Sequence, residues 1–139
     1  MTTFPLQIVS QEQKLISTEV DSVTIPTSEG EITVLYKHNP LFAKVETGEV
    51  VYRLGEQESR AVVSGGFVNI APNGEVKIMV DSGVLDRDIS LERAQQAIKE
   101  AQETMEKTQD QREMMMAEAS LRQAMMEVKV AQKTKKAKI

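Results

Sequence analysis

With 139 residues, 40% hydrophobic and 27% charged, and a net charge of −4, the chain has the length of one domain, or of one small domain with an appendage, and the polarity of a protein that folds in water. It has no Cys, which excludes disulfides and thiolate metal sites, and with no Trp and 4% aromatics its core must be built from Val, Ile, Leu, Met and Ala. MTTFPLQIV has no basic leader and no apolar run nears the ~20 residues that cross a bilayer, so the protein is expected to stay where it is made, in the cytoplasm.

Residues 1–88 read as strands. FPLQIV (4–9), EVDSVTI (19–25), EITVLY (31–36), LFAKV (41–45), GEVVYRL (48–54), ESRAVVS (58–64), FVNI (67–70) and EVKIMV (75–80) are short and rich in Val and Ile. Breakers separate them: Pro26 to Gly30, Asn39-Pro40, Thr47-Gly48, Gly55, Gly65-Gly66 and Pro72-Asn73-Gly74. In the last strand Val76, Ile78 and Val80 alternate with Glu75, Lys77 and Met79, the pattern of a half-buried strand. Asn73-Gly74 predicts a tight hairpin, since both residues tolerate positive φ. So many short strands at this spacing imply a sandwich or barrel.

From 89 to 139 there is neither Gly nor Pro. Ala94, Ala97, Ile98, Ala101 and Met105 follow the spacing of one helix face. Met114, Ala117, Leu121, Ala124, Val128 and Ala131 form a second stripe in steps of three and four, as coiled-coil seams do. Between them Asp110 and Glu113 fit a capping box. The expectation is two helices of about twenty residues, joined by a short polar turn around 107–110 and held by an Ala/Met seam that buries little area and can open. Charge divides the same way: residues 1–88 carry 7 basic and 13 acidic side chains, residues 89–139 carry 10 and 8, and five lysines (Lys129, Lys133, Lys135, Lys136, Lys138) fall in the last eleven residues.

Candidates for chemistry are few. His38, the single histidine, stands before Asn39-Pro40 in a loop; a surface or interface role competes with that of a general base. Gly65-Gly66 lacks the Lys-Ser/Thr of a phosphate loop and reads as a bulge or tight turn. The tail QKTKKAK could meet nucleic acid, but without stacking aromatics an acidic protein surface fits it better. Met114-Met115-Met116 is either core packing or an adaptable docking face, because three successive residues cannot all face one partner helix.

Together these stretches resemble the epsilon subunit family of the bacterial F-type rotary ATP synthase. IVSQEQKLISTEVDSVTIP is similar to the family's opening strands, SEGEITVLYKHNPLFAKVETGEV to its Gly-Glu, Leu, His, Pro-Leu and Gly series, VVSGGFVNI to its Ser-Gly-Gly-Phe strand, and the hairpin ending in TKKA to its close. The resemblance implies an N-terminal antiparallel β-sandwich of about ten strands (1–87) and a C-terminal antiparallel two-helix hairpin (88–139). It implies a non-catalytic central-stalk subunit that couples proton-driven rotation to ATP synthesis and inhibits hydrolysis through its helices. It needs no cofactor and no metal, binds no nucleic acid, and sits peripherally on the cytoplasmic side of the membrane, which it meets only through the complex. By matching position, Ser10 and His38 would face the gamma subunit and Glu31, in the SEGE loop, the ring of c subunits. Arg122, Lys129 and Lys133 would face an acidic loop of the alpha/beta catalytic head, with a solvated helix face as the alternative. Members often read Gly-Ile-Leu-Pro-Gly-His where this chain has TVLYKH, and Pro-Gly where it has Pro26-Thr27, so the loop around 27–37 is expected to differ.

Some members bind ATP on the folded hairpin through Ile-Asp-x-x-Arg-Ala and two arginines of the second helix. In DISLERA (88–94), Ile89, Arg93 and Ala94 match, but Ser90 replaces the Asp, and Gln123 and Glu127 stand at the arginine positions. Ser90 reads as a helix N-cap with Glu92 in the first turn, ahead of a nucleotide site. The alternative to the stalk reading is an unrelated sandwich adaptor whose hairpin docks on another coiled coil.

Overall fold

Alternating apolar residues in short runs bury every second side chain on one side, and ten such strands make the first unit. The computed structural model describes the backbone of residues 2–137 and the side chains of residues 2–133. The strands are β1 (Phe4–Ser10), β2 (Lys14–Val20), β3 (Ser22–Thr27), β4 (Gly30–Leu35), β5 (Leu41–Val45), β6 (Gly48–Leu54), β7 (Gln57–Val63), β8 (Gly66–Ile70), β9 (Val76–Val80) and β10 (Gly83–Leu85). Their order is β10-β7-β6-β3-β5-β8-β9-β1-β2, with β4 paired to β3. β3 and β5 meet only at Thr27 and Val45, the corner between one layer (β10-β7-β6-β3-β4) and the other (β5-β8-β9-β1-β2). Pairing is antiparallel except that β1 runs parallel to β9. The core is Val and Ile, as composition requires: Leu6, Ile8, Val23, Ile25, Val45, Val50, Val68 and Ile78 are fully buried.

Three local features differ from the sequence pattern. The run 19–25 is broken at Asp21, whose carboxylate accepts a hydrogen bond from the Gly55 N–H (2.8 Å) and whose N–H donates to the Arg53 carbonyl, so β2 and β3 are separate strands. The β8–β9 turn is not a two-residue Asn-Gly turn. Gly74 N–H donates to the Ala71 carbonyl across Pro72-Asn73, and only Gly74 takes a positive φ (96°). Pro72 fixes the first turn position, and Asn73 Oδ1 accepts from the Glu75 N–H. Glu31, expected in a loop, is on β4 opposite Pro26. The turn before it is held by Thr27, whose hydroxyl donates to the Gly30 carbonyl and accepts from the Glu29 N–H.

The second unit begins at Asp86. A 3-10 turn, Asp86–Asp88, leads into α1 (Leu91–Lys107), and Thr108 to Asp110 join it to α2 (Gln111–Ala137). Ser90 is the N-cap of α1, its hydroxyl accepting from the Arg93 N–H at 3.2 Å. Asp110 caps α2 by accepting from the Arg112 N–H. The expected capping box is rerouted, because Glu113 receives the Thr108 hydroxyl, which in turn accepts from the Asp110 N–H. Ala94, Ala101, Ala117 and Ala124 are buried along the seam, with Ile98, Met105, Met114, Leu121 and Val128 half-buried beside them. Met115, Met116 and Met125 are exposed, so only some of the methionines join the alanines, and Val130 of α2 is completely buried. The 3-10 turn also packs on α2, giving that helix a second neighbour beside α1.

Candidate functional site

Among the described residues, no constellation for catalysis forms around His38. Its Nδ1 lies 2.7 Å from the Asn39 carbonyl and its N–H donates to the Leu35 carbonyl, which pins the β4–β5 loop. Lys37, just before it, takes a positive φ of 67°. Ser10 is likewise used by its own turn: its hydroxyl accepts from the Gln13 N–H at 3.3 Å and its N–H donates to the Gln13 carbonyl. Ser10 aligns with Val80, Gly66 and Val45 across the sheet, whereas the loop carrying His38 enters at Leu41, level with Ile70, Val76 and Leu6. The two residues therefore stand at opposite ends of one layer and not side by side.

Between those ends lies a face that the residue patterns did not single out. Cross-strand neighbours share a side of a sheet, and the outward row reads Lys44, Phe67, Met79, Val9, Lys14 across β5, β8, β9, β1 and β2. The next row reads Phe42, Asn69, Lys77, Gln7, Ser17. Phe42 (63% exposed) and Phe67 (47%) stack with ring centroids 5.4 Å apart. A shallow cleft of about 290 Å³ opens beside Phe67, Met79, Val9 and Ser10. The sequence signal was present: Val68 and Ile70 inward forces Phe67 and Asn69 outward. Gly66 lets β8 come this close, since a Cβ there would lie 2.0 Å from the Met79 carbonyl oxygen.

The other layer uses its charges internally. Arg53 and Arg60 both pair with Glu58, and Arg60 lies 3.7 Å from Glu49. Among the described residues Lys14, Lys44 and Lys77 have no ion-pair partner.

On α2, Met115, Arg122 and Lys129 are seven residues apart and all exposed, so they fall within about 40° of arc on one ridge. Lys133 continues that line but is half-buried and already engaged by another group of the protein. The TKKA end and the lysines at 135, 136 and 138 lie outside the residues whose side chains are described. Arg93 is exposed on α1 and Ile89 half-buried before it. Glu127 is half-buried, and desolvation raises its pKa above the usual carboxylate value against the opposing hydrogen bond from Gln123.

Comparison with known proteins accounts for both units. Residues 3–86 match the family model described as ATP synthase, Delta/Epsilon chain, beta-sandwich domain, and residues 87–132 that described as ATP synthase, Delta/Epsilon chain, long alpha-helix domain. The chain is similar to an ATP synthase epsilon chain of Dehalococcoides mccartyi, 38% identical over 98% of this chain and 97% of that one. It is also similar to the ATP synthase epsilon chain of Syntrophobacter fumaroxidans, 35% identical over 93% and 96%. Among solved structures it resembles a chain of the Euglena gracilis mitochondrial ATP synthase OSCP/F1/c-ring assembly, with a TM-score of 0.74, 25% identity, and coverage of 89% of this chain and 78% of that one.

Proposed function

The chain belongs to the ATP synthase delta/epsilon family, as a non-catalytic subunit of that rotary complex, and on that premise we propose that its two units divide the work: the sandwich (1–87) docks on the central stalk, and the helical hairpin (88–139) is a regulatory arm that restrains ATP hydrolysis. In this reading the layer between Ser10 and His38 turns towards gamma, and the turn before Glu31 approaches the polar loops of the c ring. Rotation driven by proton flow is thereby coupled to ATP synthesis. No helix among the described residues is long and apolar enough to cross a membrane, and the chain is held at the cytoplasmic side through its partners.

The observation that carries the arm is the exposed ridge of Met115, Arg122 and Lys129 on a helix whose seam is alanine. Two cations in line with a pliable thioether suit an acidic loop of the catalytic head. A seam of Ala94, Ala101, Ala117 and Ala124 can part, because each buried methyl contributes about 0.8 kcal/mol where a buried Val or Ile contributes about 1.5–3. The arm works without nucleotide: at 123 and 127 a polyphosphate would meet an amide and a carboxyl, whose hydrogen bond is to each other.

The test is ATP hydrolysis by a head of alpha, beta and gamma to which the full chain, residues 1–88, or the Arg122→Glu/Lys129→Glu variant is added. The expected result is that all three bind and only the unaltered full chain suppresses hydrolysis. Binding with no suppression by the full chain would leave a coupling subunit with a quiet hairpin, and absence of binding would remove the stalk reading in favour of the unrelated adaptor.

A further inference from the structure

We propose that Met115 and Met125, on the exposed side of α2, form a peroxide-reactive modification site, and that their conversion to sulfoxides withdraws Arg122 and Lys129 from an acidic partner surface. The modification site stands on the geometry of this chain alone. Its effect on hydrolysis rests on the reading of the hairpin as a regulatory arm.

Met115, Glu118, Arg122, Met125 and Lys129 follow one another in steps of three and four, all of them exposed, within about 80° of arc on a stripe distinct from the alanine seam. A water-facing stripe of a helix is ordinarily polar throughout. Here two of its positions are thioethers, 63% and 56% exposed, so core packing does not account for them. Met116 is equally exposed but stands apart, lining the cleft beside Ala97, Ala101 and Ala117. The remaining described methionines, Met79, Met105, Met114 and Met126, are half-buried.

The chemistry follows from access to sulfur. A thioether lone pair attacks one oxygen of hydrogen peroxide; the S–O bond forms as the O–O bond breaks. The hydroxide released takes the proton left on the sulfoxide oxygen and departs as water, so sulfur loses two electrons and the peroxide gains them. Exposure governs which sulfurs react, and the chain has no Cys to compete for the oxidant. The product is polar where the thioether was apolar, and its oxygen accepts hydrogen bonds. Arg122 precedes Met125 by three residues and Lys129 follows it by four, the spacings at which side chains on a helix meet. A sulfoxide at 125 therefore offers both cations an acceptor on their own helix. Glu118, four residues before Arg122, already competes for that cation, so a second acceptor leaves less of it for a partner. A sulfoxide at 115 removes the pliable apolar end of the same ridge.

In the experiment the full chain is treated with hydrogen peroxide, freed of it and mapped by peptide mass spectrometry. It is then added to the head of alpha, beta and gamma while binding and ATP hydrolysis are followed, with melting curves to confirm that the treated chain is folded. Met115, Met116 and Met125 are expected to take up oxygen about tenfold faster than Met79, Met105, Met114 and Met126. With 115 and 125 oxidised, about tenfold more chain should be needed for half suppression, and a thiol-driven methionine sulfoxide reductase should reverse the change. In Met115→Leu/Met125→Leu, judged against its own untreated sample, peroxide should leave suppression unmoved. Equal oxidation of all these methionines overturns the site. Unchanged suppression once 115 and 125 are oxidised overturns their control of the arm, as does a loss that persists in the leucine variant. If the untreated chain does not suppress hydrolysis, it is the arm reading that has failed, and the peptide map still decides the site.

Discussion

Gly66→Ala should be among the most damaging single substitutions in the chain, and the structure sets the scale. Gly66 pairs with Val45 on one side and Val80 on the other, at a φ of 135°. An added Cβ would lie 2.0 Å from the Met79 carbonyl oxygen and 2.8 Å from the Val80 Cα, both backbone atoms that cannot swing aside. Backbone strain of about 1–3 kcal/mol combines with overpacking of about 1–3 kcal/mol, for a loss of about 4 kcal/mol. At about 4–8 °C per kcal/mol for a domain of this size, the melting temperature should fall by roughly 15–30 °C. Gly74→Ala is the control. Its φ is 96°, but nothing lies within 4 Å of the added Cβ, so only the conformational cost of about 1 kcal/mol remains, roughly 4–8 °C. Thermal melting followed by circular dichroism compares the two. Equal losses would refute the argument that close approach of β8 to β9, and not positive φ alone, demands glycine here. The same approach places Phe67 beside Met79 in the outward row, so a folded remnant of Gly66→Ala should also bind the head more weakly.

Three further outcomes are expected. Lys37→Gly should stabilise the sandwich by about 0.5–1 kcal/mol in denaturant melts, because a glycine meets no Cβ penalty at a φ of 67°, and the exposed Lys37–Tyr36 cation–π contact it removes is worth about 0.5 kcal/mol or less. Ser90→Ala should cost about 1 kcal/mol and speed amide exchange in the first turn of α1, where the lost hydroxyl leaves the Arg93 N–H unsatisfied. The folded-state pKa of Glu127 is raised by burial, so its contribution to stability is fully present below the ordinary carboxylate value near 4.5 and is lost as pH rises through the folded-state value. Glu127→Gln, neutral at every pH, should therefore gain stability relative to the unaltered chain as pH rises and match it in acid; a difference that does not vary with pH would disprove the linkage.

Period was the legible part of the fold. The alternation in 75–80 gave β9 its inward Val76, Ile78 and Val80, and the three–four stripe gave α1 and α2 their alanine seam. Breaks set by hydrogen bonds were not legible. Asp21 ends β2 only because Gly55, far along the chain, donates to its carboxylate, and Thr108 intervenes in the α2 cap only because its hydroxyl reaches Glu113. For the site, single residues such as Ser10 and His38 stood out by resemblance, and each also holds its own turn. The apolar row with its lysines needed the registers of β5, β8, β9, β1 and β2 together, which no local pattern supplies.

The two units differ in what separating their parts would cost, and that difference supports the proposed division into an anchoring sandwich and a movable arm. Opening the sandwich exposes fully buried Leu, Ile and Val side chains and leaves strand edges unpaired, so it does not happen short of unfolding. Parting α1 from α2 exposes the methyls of four buried alanines and further surface of half-buried side chains such as Ile98, Met114 and Leu121, with Val130 the one fully buried branched side chain among the described helical residues, and each helix keeps its own backbone hydrogen bonds. α2, at 27 residues without Gly or Pro, is about 40 Å long and exceeds the ~15 residues at which isolated helices become viable. Alanine serves both ends at once: it seals the hairpin weakly and, as the best helix former, preserves the rod when the seal breaks. A seam of leucines would hold the hairpin shut, and a glycine in α2 would let it collapse on opening; the sequence avoids both.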